Sequence, residues 1–394
     1  MNRRLLMIIL AVGVVLRMGV AVVMGDKVEV LPGIFDQVSY HTLATRVLEG
    51  HGFTFAEEWW PVTKAGEPTA HWSYLYTLYL TAVYAVVGVH PLVARLLQAM
   101  IVGAGMPWLA YRLGKRAWPG RAVKVRGVEV EAGLVAAAWV AAYPYFIYYG
   151  AALMTESFYM SGILWALDCG LRIAHSHDKE GARWGWRWVE LGAALGVTVL
   201  LRQVFLLFVP FLVIWILWVK AGEAGAKWKQ ATWKTVMGSV IAGVIVIGMI
   251  APFTILNYRE FGRFVLLNTN AGYAFFWANH PIHEGSFVAL LTEDMPSYQE
   301  LIPSELRGLD EAALERELMK RGIQFVLDDP LRYVRLSISR IADHFIFWPL
   351  PSSSTVSNLT RVGSFGLAVP FMLLRGGVWM AGEWKRGKKW AEVS

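Results

Sequence analysis

An all-α, polytopic membrane protein is the fold class this sequence predicts, on three observations. Of its 394 residues, 56% are hydrophobic and 13% aromatic while 17% are charged, and the mean hydropathy is positive, a balance foreign to soluble domains. Apolar runs of roughly 17 to 25 residues recur along most of the chain, the length an α-helix needs to cross about 30 Å of hydrocarbon. Several of the 19 tryptophans, among them Trp72, Trp118, Trp184 and Trp348, stand at the ends of such runs, where indole rings favour the headgroup level.

By length and apolarity the expected spans are residues 5–24, 92–113, 131–152, 157–173, 188–201, 203–219, 236–252 and 358–380. Residues 72–89 and 331–349 are two ambiguous stretches, and the set amounts to about 8 to 10 transmembrane helices. The N-terminal run has the charged start of a signal peptide but is long and lacks a small-residue cleavage site, so it reads as a retained first helix. Basic residues gather at Arg3 and Arg4, at Lys115 to Arg126, at Arg172 to Arg187, at Lys220 to Lys234 and at Lys385 to Lys389. The positive-inside rule puts all five clusters on the cytoplasmic side only if one of 72–89 and 92–113 is not an ordinary crossing. The shorter, tyrosine-rich 72–89 is therefore expected at the outer face.

This arrangement predicts one membrane domain over residues 1–394, with a first outer loop at 25–91 carrying juxtamembrane helices and an outer cap at 253–357. Within the cap, Asp310 ahead of EAALERELMKRG has the form of a helix start. The net charge of +7 belongs to the inter-span clusters, which argues against nucleic acid as a partner and for a lipid bilayer. The single Cys169 rules out an internal disulfide, and the scattered histidines make no metal motif.

Chemistry is expected first at Asp36, in the polar and patterned stretch PGIFDQVSYHTLATRVLEGHGFTF after the first span. Tyr40, Leu43, Ala44 and Val47 follow it at helical spacing, so Asp36 is either a helix N-cap or a general base aimed along the membrane surface. Glu156 falls at an outward turn and is either a partner acid or a residue complementing a helix N-terminus beside a Thr155 cap. Arg202 interrupts an apolar run, where a cation needs a partner: an anionic ligand or a structural ion pair. Arg259 and Asn257 at the exit of the seventh span, and Lys64 and His71 before the ambiguous helix, are further candidates for contacting an anion or for lining its site. Each is equally readable as a surface group. Arg17, and Asp168 with Arg172 at i,i+4, read as structural.

At these residues the chain resembles the GT-C superfamily of membrane glycosyltransferases, in the branch of the protein O-mannosyltransferases and lipid A aminoarabinose transferases. The matching pieces run in order over residues 5 to 290: the Asp36 to Tyr40 helix and Gly50-His51-Gly52; WSYLYTLYL; Tyr143-Pro144 through Met154-Thr155-Glu156; Leu201-Arg202; and Pro252 to Asn257 followed by GRFVLLNTNAGYAFFWANHP. Two features depart from the pattern: Gln37 stands where a second acid is usual, and Ala70-His71 where Pro-Pro is usual.

The resemblance implies an inverting transfer of a sugar from a polyprenyl-phosphate donor to a protein, lipid or glycan acceptor at the outer face of a plasma (inner) membrane. Asp36 would be the base and Glu156 would orient acceptor or sugar. Arg202, Arg259, Lys64 and His71 would meet the donor phosphate, with Tyr40 and Asn257 lining the substrate. No cofactor is required, though a divalent cation between Asp36 and Glu156 is a second option. A transporter or lipid flippase is the alternative from another class; it would show paired broken helices or an inverted repeat, and the sequence has no detectable repeat.

Overall fold

The computed structural model describes residues 2–30, 35–125, 128–176, 183–224, 228–288, 298–350, 353–370 and 372–374. In chain order the helices are α1 (Asn2–Met24), α2 (Asp36–Leu48), α3 (Tyr74–Val87), α4 (Pro91–Ala117), α5 (Ala132–Ala142), α6 (Pro144–Ala151), α7 (Glu156–Ala174) and α8 (Arg183–Leu201). They continue with α9 (Val209–Ala224), α10 (Trp228–Phe261), α11 (Ala271–Asn279), α12 (Glu311–Asp328), α13 (Pro330–Asp343) and α14 (Thr355–Thr360). One antiparallel hairpin, β1 (Ala122–Val125) with β2 (Val128–Glu131), follows α4 where only a basic loop is expected. The described residues fall into two compact units, Met1–Ala278 with Leu290–Ile323, and Asn279–Ala289 with Gln324–Ser394.

The α-helical class holds, but the span count is lower than the sequence suggests. Among the described residues four helices are long and apolar enough to cross a membrane: α1, α4, the run Gln203–Ala224 that contains α9, and Lys229–Phe261 within α10. The pair α5 and α6, bent by 56°, makes a fifth if it is one broken span. The expected spans at 157–173 and 188–201 lose standing once their helices are seen whole, because α7 carries Glu156, Asp168 and Arg172 and α8 opens with Arg183, Arg187 and Glu190. Of the ambiguous stretches, α3 and α13 have 14 residues each, about 21 Å of helix against the roughly 30 Å of a bilayer core. The expected span 358–380 lies partly outside the described residues.

Two features fix the helices of the larger unit against each other. Where α1 crosses α4 the backbones touch: a Cβ on Gly13 would meet the Gly103 carbonyl oxygen at 2.6 Å, and one on Gly103 would meet Val14 Cα at 2.7 Å. Small residues permit such an approach, which drives helix association in lipid through van der Waals contact. Beside this crossing Arg17 is fully buried and donates to the carbonyls of Val140 at 3.0 Å, Ala141 at 3.2 Å and Gly13 at 2.9 Å. Pro144 has no N–H to give Val140, its partner four residues back, so the guanidinium supplies the donor that the bend removes. Further along, buried Asp168 ties α7 to α4, accepting from Arg116 Nε at 2.8 Å and forming ion pairs with Arg112 at 2.6 Å and Arg172 at 3.1 Å. Arg17 and the Asp168–Arg172 pair thus have the structural roles their sequence contexts suggest.

Gly103→Leu should force α1 off α4, costing on the order of 1–3 kcal/mol by overpacking. It lowers the thermal midpoint of the detergent-solubilised protein, whereas Gly19→Leu, whose added Cβ meets nothing within 4 Å, leaves it unchanged. Equal midpoints for the two variants would disprove the crossing.

Candidate active site

Four chain breaks converge in the larger unit. The start of α2 supplies Asp36, the start of α7 supplies Glu156, and the break between α8 and the 3-10 turn Gln203–Leu207 supplies Arg202. The segment running into α3 supplies His71, Trp72 and Ser73. These residues, with Tyr40, Trp60, Tyr149, Gln203, Asn268 and Asn270, line one cavity of about 440 Å³.

Local hydrogen bonds place each group. Ser73 caps α3 by accepting from the Tyr76 N–H, donates its hydroxyl to the Leu200 carbonyl at 2.8 Å, and gives its backbone N–H to the Tyr40 hydroxyl at 3.3 Å. The end of α8, the start of α3 and the body of α2 thereby meet at one residue. Tyr40 is buried edge-on against Trp72 and Tyr76, and burial beside Asp36 raises its phenol well above the ordinary range. Behind the cavity, Gln37 is buried and its carbonyl oxygen accepts from Arg95 at 2.9 Å and from the Leu153 N–H at 3.1 Å. Arg95 also donates to the Ala151 carbonyl at 3.0 Å. This pins the first turn of α2 to the turn that leads into Glu156.

Outside the lining, buried Glu311 accepts from Thr63 Oγ1 at 2.8 Å, the Ala70 N–H at 2.8 Å and Thr269 Oγ1 at 2.5 Å. Burial raises its carboxyl, and these donors oppose the rise. The segments carrying His71 and Asn270 are held by this one side chain.

Neither Asp36 nor Thr155 makes a side-chain cap, although Asp36 and Glu156 both stand in the first turn of their helices, where a carboxylate complements the N-terminus. The N-cap of α2 is Phe35, so Asp36 is the first helical residue, and among the described residues no side chain bonds its carboxylate. Thr155, the N-cap of α7, makes no side-chain cap; its hydroxyl accepts from Arg202 Nε at 3.2 Å. Arg202 also pairs with Glu156 and lies over the Tyr159 ring at 5.7 Å. Burial first, and then the nearby Glu156 charge, raise the Asp36 carboxyl, Arg202 opposes both, and the net effect is a rise from 3.8 to about 6. The result is an acid that is mostly ionised at pH 7 yet holds a proton far better than an exposed aspartate.

The remaining sequence candidates separate. His71 lines the cavity, but burial lowers its imidazole to about 4, so it offers no positive charge to an anion at neutral pH. Lys64 donates to the Gly308 carbonyl at 2.8 Å and lines a different depression with Glu58 and Arg307. Arg259 is exposed in the last turn of α10 and does not line the cavity. Asn257 is fully buried in a structural knot, donating to the Val265 and Leu267 carbonyls at 3.2 and 2.9 Å and accepting from the Tyr74 hydroxyl at 2.5 Å. The structure therefore does not bring Lys64, Arg259 or Asn257, expected at the phosphate or in the lining, to the cavity that holds Asp36, Glu156 and Arg202. Their polarity was visible, but it is spent on backbone carbonyls or on solvent.

Trp60, Gln203, Asn268 and Asn270 are among the lining residues the sequence did not single out. The signal was present, since tryptophan in a polar loop and the asparagines of NTNAG both sit in unusual contexts. Among the described residues no three of His, Cys, Asp and Glu gather to hold a metal ion; Asp36 and Glu156 are the cavity's two carboxylates. Compared with known protein families, curated proteins and solved structures, the chain matches none.

The raised pKa of Asp36 carries a sign. The folded chain holds this proton more tightly than the unfolded one, so stability falls as pH rises from about 4 to about 6 and stays lower above it, by on the order of 2–3 kcal/mol. Asp36→Asn should therefore melt at or above wild type at pH 7, the difference closing toward pH 4. A helix cap predicts the reverse, a loss of about 1 kcal/mol.

Proposed function

We propose that this chain is a membrane-embedded inverting glycosyltransferase that moves a sugar from a polyprenyl-phosphate donor to an acceptor. The observation that carries the reading is the convergence of Asp36, Glu156 and Arg202 on one cavity beside an apolar groove. That groove, about 550 Å³, is lined by Tyr76, Tyr79, Ile101, Trp108, Phe158 and Trp165 among others, and Leu201 lines both spaces. A substrate with a phosphate at the junction of a polar head and a long hydrocarbon tail matches this pair of spaces in chemistry.

In the proposed reaction an acceptor hydroxyl attacks the anomeric carbon from the face opposite the phosphate. The carbon–oxygen bond to phosphate breaks, its electron pair leaves with the phosphate, and the hydroxyl proton passes to the Asp36 carboxylate. Arg202 stabilises the charge that builds on the departing phosphate, in a site where water is largely replaced by protein. Among the described lining residues it is the cation placed to do so. Glu156, held beside it, orients the acceptor or the sugar, and the aromatic rings and amides of Trp60, Trp72, Asn268 and Asn270 suit the faces and hydroxyls of a sugar ring. The bend between α5 and α6 is the single feature that favours a transporter, which would use such a broken helix to line a pathway.

Membranes containing the protein and labelled polyprenyl-phosphate sugars test the reading. Asp36→Asn should lower transfer about 10²–10⁴-fold, the usual range for removing a general base. Transfer by wild type should fall below a pH of about 6, and Glu156→Gln, by removing a neighbouring negative charge, should move that limb to lower pH. Undiminished transfer by Asp36→Asn excludes it as the base, and vectorial movement of substrate without a new glycosidic bond favours the transporter.

The groove has its own test. Gly105 lines it and has nothing within 4 Å of an added Cβ, so Gly105→Leu fills groove space without disturbing the fold. Its KM for a long-chain donor should rise several-fold while a short-chain analogue is unaffected. Equal effects on both would remove the groove from the donor site.

A further inference from the structure

Helix α13 in the smaller unit faces the wrong way for a water-exposed helix. Three of its polar residues point into the unit: Arg332 donates to the Asn279 and Phe325 carbonyls at 3.3 and 3.2 Å, Arg340 donates to Asn279 Oδ1 at 3.1 Å, and Ser339 Oγ accepts from the Phe287 N–H at 3.0 Å. Leu336 is the one residue of the helix that is fully buried. Leu331, Val334, Ile338 and Ile341, with Phe345 just beyond the C-terminus, are each between 46 and 62% exposed. Their spacing of three, four, three and four residues draws one stripe on a helix of 3.6 residues per turn, on the side away from Leu336.

A soluble domain would bury such a stripe, and a spanning helix would be longer and lack Arg332, Arg335, Arg340 and Asp343. What remains is a helix lying in the plane of a membrane surface. Three observations favour lipid over another protein as the occupant. Twelve residues after α13 the same unit enters the helical stretch from Thr355, whose Val356, Leu359 and Leu367 are more than 60% exposed, so the stripe is tethered close to further hydrocarbon-seeking helix. Arg335 stands at the edge of the stripe, where its stem can lie on apolar surface with the charge at the headgroups. The exposed pair Phe347 and Trp348 follows the helix, and such rings collect at the interface.

We propose that α13 is a lipid-docking helix that immerses Leu331, Val334, Ile338, Ile341 and Phe345 in the headgroup–acyl boundary of a bilayer. This surface is independent of the sugar-transfer reading.

Full-length protein in phosphatidylcholine nanodiscs tests it, with an environment-sensitive fluorophore on Ile338→Cys or on Tyr333→Cys, a third of a turn away. Cys169 is 1% exposed, so the introduced thiol is the one that reacts. Lipid carrying a nitroxide near the headgroup should quench the label at 338 at least about twofold more than the label at 333, with emission shifted to the blue. Equal quenching at the two positions overturns the proposal. Stronger quenching at 338 by a deep nitroxide means the segment spans, and disulfide-linked dimers of Ile338→Cys in place of lipid quenching mean the stripe is an interface between copies; either result also overturns it.

Discussion

The candidate site depends on one buried cation outside it. Arg95, on α4, is 1% exposed and donates to Gln37 Oε1, to the Ala151 carbonyl and, at 2.9 Å, to the Lys27 carbonyl. Its neighbour one turn on, Gln98, donates to the Ala152 carbonyl at 2.7 Å and accepts from the Tyr76 hydroxyl at 2.7 Å. Between them these two side chains hold the exit of α1, the first turn of α2, α3 and the turn before α7. Hydrogen bonds to a charged group contribute roughly 1.5–3 kcal/mol each, and a buried charge left without partners costs more. The acids Asp36 and Glu156, 120 positions apart in the chain, share a cavity because this node fixes the backbone on either side of them. It also explains Gln37: facing Arg95 and an amide N–H at once, a carboxamide oxygen satisfies both without adding a charge.

The same rule governs the rest of the fold. Buried backbone groups have no water to turn to, so where a helix is interrupted inside the protein a side chain supplies the donor or acceptor. Arg17 meets the interruption made by Pro144, Ser73 meets the end of α8 at Leu200, and Asn257 meets the extended residues after α10. α13 is the same economy viewed from the other side: its polar groups satisfy the carbonyls of residues 279 and 325, which leaves its apolar stripe facing out.

How far the site was legible in the sequence follows from this. Asp36, Glu156, Arg202, Tyr40 and His71 were each visible as a polar or aromatic group at a break in apolar patterning, and all five line the cavity. Lys64, Arg259 and Asn257 stood at similar breaks and do not. Sequence context marks a polar group that must be satisfied, but cannot tell a backbone carbonyl from a ligand as its partner. The span count was inflated differently: α7 and α8, which contain the stretches 157–173 and 188–201, are long enough to cross, but the stretches carry Asp168, Arg172 and Glu190, which leaves both helices less apolar than a spanning helix. The Gln37–Arg95 bond joins residues 58 positions apart and left no local pattern to read.

Charge balance links the geometry to the proposed chemistry. The lining carries Asp36, Glu156 and Arg202, one negative charge in excess when Asp36 is ionised, and Arg202 is already paired with Glu156. In the proposed reaction an incoming phosphate would share the guanidinium, whose five donors and 40% exposed side chain allow it. Its charge adds to that of Glu156 in raising the proton affinity of Asp36, so the base gains strength when the donor is present. Taking the acceptor's proton then neutralises Asp36 at the moment charge accumulates on the leaving phosphate, and the repulsion that strengthened the base is relieved as the bond breaks. Burial together with the Glu156 and Arg202 charges holds Asp36 near 6, and in the proposed reaction those charges make its proton uptake responsive to the substrate.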